Sequence, residues 1–107
     1  MPESIPKLKI TVLQKSFNAD LVKEDFKVDA GSNYGACDQF QIGQEFVTDQ
    51  PWSPPAGFCT WAWADLRGDI MATMAGGDLP WMKERGVAIA TCTDAFRPVI
   101  FKIERVK

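Results

Sequence analysis

Asp65 is the residue of this sequence best suited to acid–base chemistry, because it follows Trp61 by four positions. Residues four apart on a helix share one patch of its surface, so the carboxylate and the indole would be neighbours. A carboxyl group that an aromatic ring shields from water can exchange protons near neutral pH. The alternative is an ordinary acid near a helix start, where the helix dipole favours negative charge.

Arg97 and Asp94 form a second candidate pair within the segment Thr93–Pro98. An arginine in such a turn could hold a substrate carboxylate through two parallel hydrogen bonds. The plainer interpretation is that Asp94 stabilises the turn through its own backbone and that Arg97 pairs with it. Both interpretations place the two residues in one turn.

Three tryptophans are predicted to shape a ligand pocket. Trp61 and Trp63 would form its walls, and Trp81, in a proline-containing segment, would fold over it. Pockets for small molecules are lined mainly by apolar and aromatic side chains. The alternative is that these rings complete the edge of a small hydrophobic core.

The cysteines Cys37, Cys59 and Cys92 are a third candidate set, for metal binding or redox chemistry. No CxxC pair is present, although structural zinc sites usually contain one. Unpaired cysteines are also common as small buried residues. The chain has no histidine, which removes Ser-His-Asp and Cys-His catalysis from consideration. We predict no metal and no cofactor.

The helices and strands that position these residues are predicted from the spacing of apolar residues and from the glycine and proline residues that break regular structure. Apolar residues alternate in the first strand, and proline excludes regular structure from the segment before the longest helix. The predicted order is a strand over 7–15, a short helix over 20–26 and, over 40–47, a turn that leads into a strand, with the break at Gly43. A proline-rich loop over 50–57, a helix over 59–75 and a C-terminal β-hairpin over 86–106 follow.

The helix over 59–75 has two apolar faces. One stripe predicts packing on the sheet and consists of Trp63, Leu66, Ile70 and Met74. A second strip, which we call the outer strip, contains Trp61, Gly68 and Ala72, with Asp65 among them. This strip predicts another contact, either with a pocket, with a loop folded over it, or with the same strip of a second subunit in a homodimer.

Length and composition predict one α+β domain over residues 1–107, with a small antiparallel sheet and one main helix across a face. The formal net charge of −2 gives no reason to expect nucleic-acid binding. No stretch approaches the roughly 18 apolar residues of a membrane helix, and residues 1–7 lack the apolar core of a secretory signal. With unpaired cysteines, these features favour a cytoplasmic protein without a membrane partner.

Three blocks of the chain resemble a family of short bacterial proteins, many from anaerobes, that is catalogued by a number and has no assigned activity. The blocks are Cys37–Phe46, Gly57–Asp65 and Cys92–Arg105, and the resemblance extends from the Lys9–Val12 strand to the end. The middle block, with its FCxWAWxD pattern, is the most specific. The chain departs from the family at Asp38, where proline is usual, and at Thr91 and Ala95, where cysteine and glycine are usual.

The resemblance implies that its shared positions come together from distant parts of the chain. These positions are Cys37, Cys59, Trp61, Trp63, Asp65, Cys92, Asp94 and Arg97. Without histidine, the chemistry that these residues favour is proton transfer in an isomerase or lyase, with Asp65 as acid or base. The alternatives are a cysteine-based metal or redox protein and a non-catalytic accessory subunit.

Overall fold

The computed structural model describes residues 5–27 and 34–106, which form two helices and a four-stranded sheet. The elements are β1 (Lys7–Lys15), α1 (Ala19–Asp25), β2 (Glu45–Thr48), α2 (Thr60–Met74), β3 (Val87–Thr91) and β4 (Val99–Val106). The predicted strand over 7–15 is confirmed at both ends. The composition of residues 29–36 predicts a loop. This stretch lies largely outside the described residues, and positions 34–36 are irregular.

Strand β1 forms as its alternating sequence predicts. Leu8, Ile10 and Val12 are buried, whereas the residues between them face the other side of the sheet. On the neighbouring strand, Phe101 and Ile103 are fully buried. Burial of each such side chain contributes about 1.5–3 kcal/mol to folding. One face of the sheet therefore carries the hydrophobic core.

All strand pairs are antiparallel, and the strand order is β2-β1-β4-β3. Strands β3 and β4 form the predicted C-terminal hairpin, with Ala88 opposite Ile103. β4 returns to the centre of the sheet and pairs along nearly its whole length with β1. The predicted α+β class and sheet type are confirmed.

Helix α2 lies across the core face and contacts β3, β4 and β1. The predicted stripe is buried in full, from Trp63 to Met74. Gly76 follows the helix with φ +94°, a conformation that glycine adopts readily and that commonly ends helices. The predicted bounds of 59–75 are therefore correct to within one residue at each end.

Asp78 and Pro80 predict a short helical turn around Pro80–Lys83 with Asp78 as its cap, and this prediction is wrong. The chain there forms no helix but a single turn, in which the Met82 N–H donates to the Leu79 carbonyl at 3.1 Å. Asp78 instead accepts hydrogen bonds from the backbone N–H of Gly86 and from Arg105. A partner eight residues away and another in the last strand satisfy this carboxylate better than a one-turn helix would.

The outer strip of α2 is not covered by the described part of the chain. Trp61 is 79% exposed, and Gly68 and Ala72 are also exposed. The expectation that a loop folds over this strip is therefore wrong for the described residues. Within the same residues, no helix combines the length and the apolar character that crossing a membrane requires.

Candidate functional site

A cavity of about 220 Å³ lies at the end of the sheet where α2 begins. Most of the residues predicted to carry chemistry line it. The lining consists of Cys37, Gln39, Phe40, Cys59, Trp61, Ala62, Asp65, Cys92, Asp94, Arg97 and Val99. Three separate stretches of the chain therefore meet at one small volume.

The loop that carries Cys37 and Phe40 is held in place by Lys15, at the end of β1. The Lys15 ammonium donates hydrogen bonds of 2.8 Å to the backbone carbonyls of Cys37 and of Phe40. Phe40 is buried and packs edge-on against Phe58 and Phe101, with ring centroids 5.1 Å apart in each case. The floor of the cavity is thus fixed by the core.

Asp65 reaches from the second turn of α2 to the β3–β4 turn. Its Oδ2 atom accepts hydrogen bonds from the backbone N–H and from the hydroxyl of Thr93, at 2.8 and 2.9 Å. Both bonds end on Oδ2, so Oδ1 is the oxygen through which Asp65 could accept a further donor. Asp65 is half-buried and lines the cavity; it is not a freely solvated acid.

The turn after β3 contains both features expected of Asp94 and Arg97. Oδ1 of Asp94 accepts the backbone N–H of Phe96 at 3.1 Å, and Oδ2 lies 3.5 Å from Nε of Arg97. The Arg97 guanidinium carbon lies 4.7 Å from the ring centroid of Tyr34, a cation–π distance. Nε of Arg97 is buried yet makes no hydrogen bond to any described atom.

The three cysteines are half-buried, unpaired and arranged around the same cavity. Cys59 is the residue that precedes α2, and Sγ of Cys92 accepts the backbone N–H of Val99 at 3.3 Å. Across residues 5–27 and 34–106, no group of three or more His, Cys, Asp or Glu side chains is placed to hold a metal ion. The thiols share a cavity without forming a metal-ligand cluster there.

Two of the predicted pocket tryptophans lie elsewhere. Trp63 is 4% exposed and packs edge-on against Phe58 in the core, with an indole N–H that has no described partner. Trp81 is 75% exposed and lines a separate groove over the outer face of the sheet, together with Val87 and Ile89. Of the three predicted tryptophans, only Trp61 lines this cavity.

Sequence reasoning missed several residues that build the site. Thr93 orients Asp65 through its backbone N–H and hydroxyl, Tyr34 stacks on Arg97, and Lys15 anchors the loop. The alternation of the first strand predicts only that Lys15 lies on the face opposite Leu8, Ile10 and Val12. The one available signal was its position at the end of β1, where a long side chain can reach backbone carbonyls beyond the sheet.

Comparisons of the chain with family models, with curated proteins and with solved structures find no match.

Proposed function

We propose that this protein is a small-molecule enzyme or binder and that the cavity beside the start of α2 is its ligand site. The observation that carries the proposal is the convergence of Asp65, Asp94, Arg97 and Trp61 on one cavity from separate elements. Its volume of about 220 Å³ is below the roughly 300–1,000 Å³ of sites for drug-sized molecules. The ligand is therefore a small metabolite.

In this proposal Asp65 is the acid or base. Thr93 holds Oδ2, which restrains the carboxylate and leaves Oδ1 to accept a hydrogen bond from a ligand. Pre-orientation of this kind is what proton transfer requires, because the catalytic group must lie within hydrogen-bond reach of the proton. Trp61 forms a wall, and the Arg97–Asp94 pair is the polar anchor. The reaction class is isomerisation or elimination by proton transfer.

The ligand site can be tested with a fragment screen that is followed by protein-observed NMR. We expect hits to shift the backbone amides of Ala62, Thr93 and Arg97. The variant Ala62→Leu places extra atoms at a buried residue of the cavity wall and should abolish these shifts, whereas Ala64→Leu, exposed on the same helix, should not. Hits that bind the Ala62→Leu and wild-type proteins equally would contradict this site.

The acid–base role needs its own test. Each hit is incubated with the protein in D2O, and deuterium uptake at carbon is followed by mass spectrometry. We expect uptake with the wild type and none with Asp65→Asn, while the circular dichroism spectrum and melting temperature remain those of the wild type. Uptake at the wild-type rate in Asp65→Asn would remove Asp65 from the mechanism and leave only a binding protein.

A cysteine-based function is the second candidate, favoured by the three thiols around the same cavity. Redox chemistry would join two of the thiols in a disulfide, with the two electrons and two protons passing to an external oxidant such as a peroxide, and a thiol reductant would reverse it. Mass spectrometry of alkylated protein, before and after mild oxidation, tests this possibility, and elemental analysis of anaerobically purified protein tests for metal. Three thiols that resist oxidation, together with negligible metal, would end this candidate.

We also propose that the protein is cytoplasmic and that the outer strip of α2 forms a homodimer contact. If the protein is instead an accessory subunit, the same strip is where its partner protein binds. Supporting observations are the unpaired cysteines and the exposure of Trp61, Gly68 and Ala72. Light scattering after gel filtration should report a dimer for the wild type and a monomer for Ala72→Glu. A monomeric wild type would remove the homodimer.

A further inference from the structure

The charged side chains around the cavity differ in whether a side chain of opposite charge lies beside them. Two carboxylates, Asp65 and Asp94, and one guanidinium, Arg97, line it. A buried or half-buried charge is costly unless an opposite charge accompanies it. The distribution of these charges therefore indicates the sign of the ligand that the cavity accepts.

Arg97 and Asp94 already compensate each other. Nε of Arg97 lies 3.5 Å from Oδ2 of Asp94, and the Tyr34 ring covers the guanidinium at 4.7 Å. A carboxylate ligand would have to compete with Asp94 for this arginine. The open hydrogen-bonding capacity of the buried Nε is better matched by a neutral oxygen atom, which adds no second negative charge.

Asp65 has no partner of opposite charge among the residues that the structure describes. The salt bridges within residues 5–27 and 34–106 do not include Asp65, whose described hydrogen bonds come from the neutral donors of Thr93. Trp61, one turn earlier on α2, lines the same cavity, and an indole face attracts organic cations. The carboxylate and the indole together make one side of the cavity suited to positive charge.

We propose that the ligand of this cavity is a small organic ammonium compound, with its nitrogen directed to Oδ1 of Asp65 and toward Trp61. This inference rests on the ligand-binding part of the proposed function, because it assigns a chemical class to the ligand of that site. Oδ1 of Asp65 then binds the ligand nitrogen and does not remove a carbon-bound proton. The ammonium group would donate a charge-assisted hydrogen bond to Asp65 and bring the formal charge of the cavity lining to zero. Its apolar part would contact Phe40, Ala62 and Val99.

Three probes of equal chain length test the charge preference: n-butylammonium, n-butanol and butyrate. Each is titrated into uniformly labelled protein at constant ionic strength, and the shifts of the cavity amides give dissociation constants. We expect butylammonium to bind about tenfold more tightly than butyrate, a difference of about 1.4 kcal/mol, because Asp65 attracts the ammonium and repels the carboxylate of butyrate.

Two pairs of variants show which residues cause the preference for butylammonium over butyrate. Asp65→Asn should abolish the advantage of butylammonium, whereas Asp69→Asn, which is half-buried on the same helix outside the cavity, should retain it. Trp61→Ala should reduce it about threefold, within the range of an exposed cation–π contact. Trp81→Ala, which removes a similarly exposed ring from the other groove, should leave it unchanged.

The possible failures are distinguishable. If butyrate binds best and Arg97→Gln removes that binding, the ligand is an acid; the amine assignment is overturned and the proposed cavity function stands. Equal binding of all three probes also overturns the assignment. If no probe shifts the cavity amides and the fragment screen likewise finds nothing there, the assignment and the proposed function fail together.

Discussion

Arg97 and Arg105 lie at opposite ends of the β3–β4 hairpin, and their guanidinium groups are satisfied very differently. Nη1 of Arg105 donates to the carbonyls of Thr73 and Gly77, at 3.0 and 2.7 Å, and Nη2 lies 2.5 Å from Oδ1 of Asp78. Arg97 has one ion pair at 3.5 Å, and its buried Nε makes no hydrogen bond to a described atom.

We call the end of the hairpin around Arg105 the closed end, because its guanidinium donates hydrogen bonds to Thr73, Gly77 and Asp78, and the end around Arg97 the open end. The last carbonyls of a helix have no intrahelical donors, and Arg105 supplies donors to this region at the end of α2. Arg105 does not line the cavity beside the start of α2, and its hydrogen bonds serve stability. The other end of the hairpin keeps incompletely satisfied polar atoms beside a cavity, which is the arrangement expected where a ligand supplies the missing partners.

Removal of each arginine should separate the two ends most clearly. Arg105→Leu removes the hydrogen bond to the Gly77 carbonyl, one of two donors to the Thr73 carbonyl and the pairing with Asp78. It should lower the free energy of unfolding by about 2–3 kcal/mol. Arg97→Leu removes a partly exposed ion pair and should lower it by about 1 kcal/mol or less. Urea unfolding at pH 7 measures both values, and equal losses would contradict the distinction between the ends.

Much of this architecture was predictable from local patterns. The alternation of β1 and the buried stripe of α2 each repeat over several residues, so one packing face fixes the element. The segment around Pro80 has no such repetition, and its path depends on Asp78, whose partners lie elsewhere in the chain. Local propensity could not predict a structure determined by those long-range bonds.

The site was predictable in its residue types but not in its geometry. Asp65, Arg97 and the cysteines stand out by chemistry, and they do line one cavity. Trp63 was assigned both to the core stripe and to the pocket wall, although it lies about 200° around the helix from Trp61. Thr93 carried no signal, because a loop N–H becomes specific only when folding brings it to a carboxylate.

Two glycines with positive φ, one at the closed end and one just before α2, test how tightly each region is packed. Gly86, at the closed end, has φ +76°, and an added Cβ would lie 3.1 Å from the Arg105 guanidinium; Gly57, before α2, has φ +82° and open space. Alanine at either position should cost about 1–2 kcal/mol through the left-handed backbone alone. We expect Gly86→Ala to lower the free energy of unfolding more than Gly57→Ala does.

A double-mutant cycle isolates the steric part. In an Arg105→Ala background the guanidinium is absent, so Gly86→Ala should then cost no more than Gly57→Ala. Urea unfolding of the two single variants and the double variant measures the coupling. If Gly86→Ala lowers the free energy of unfolding equally in the wild-type and Arg105→Ala backgrounds, the two residues are independent. The Arg105 guanidinium then does not pack closely against position 86.

The smallest expected effect is the pH dependence of the stability that the Asp78–Arg105 pair contributes at the closed end. The hydrogen bond from Arg105, with help from the backbone N–H of Gly86 and the nearby positive charges, holds the pKa of Asp78 below its ordinary value of 3.8, although partial burial opposes this shift. A lowered pKa in the folded state stabilises the protein above the unfolded value, and this contribution is lost as the pH falls through the folded value.

Asp78→Asn isolates that contribution, since the amide keeps the shape and cannot ionise. The difference in unfolding free energy between wild type and Asp78→Asn should be constant from pH 7 to about pH 5 and should shrink below about pH 4. Because Asp78 is partly exposed, added salt should reduce the difference. A difference that stays constant down to pH 3 would mean that Arg105 does not favour the ionised carboxylate. The closed end would then depend on the carbonyls of Thr73 and Gly77 alone.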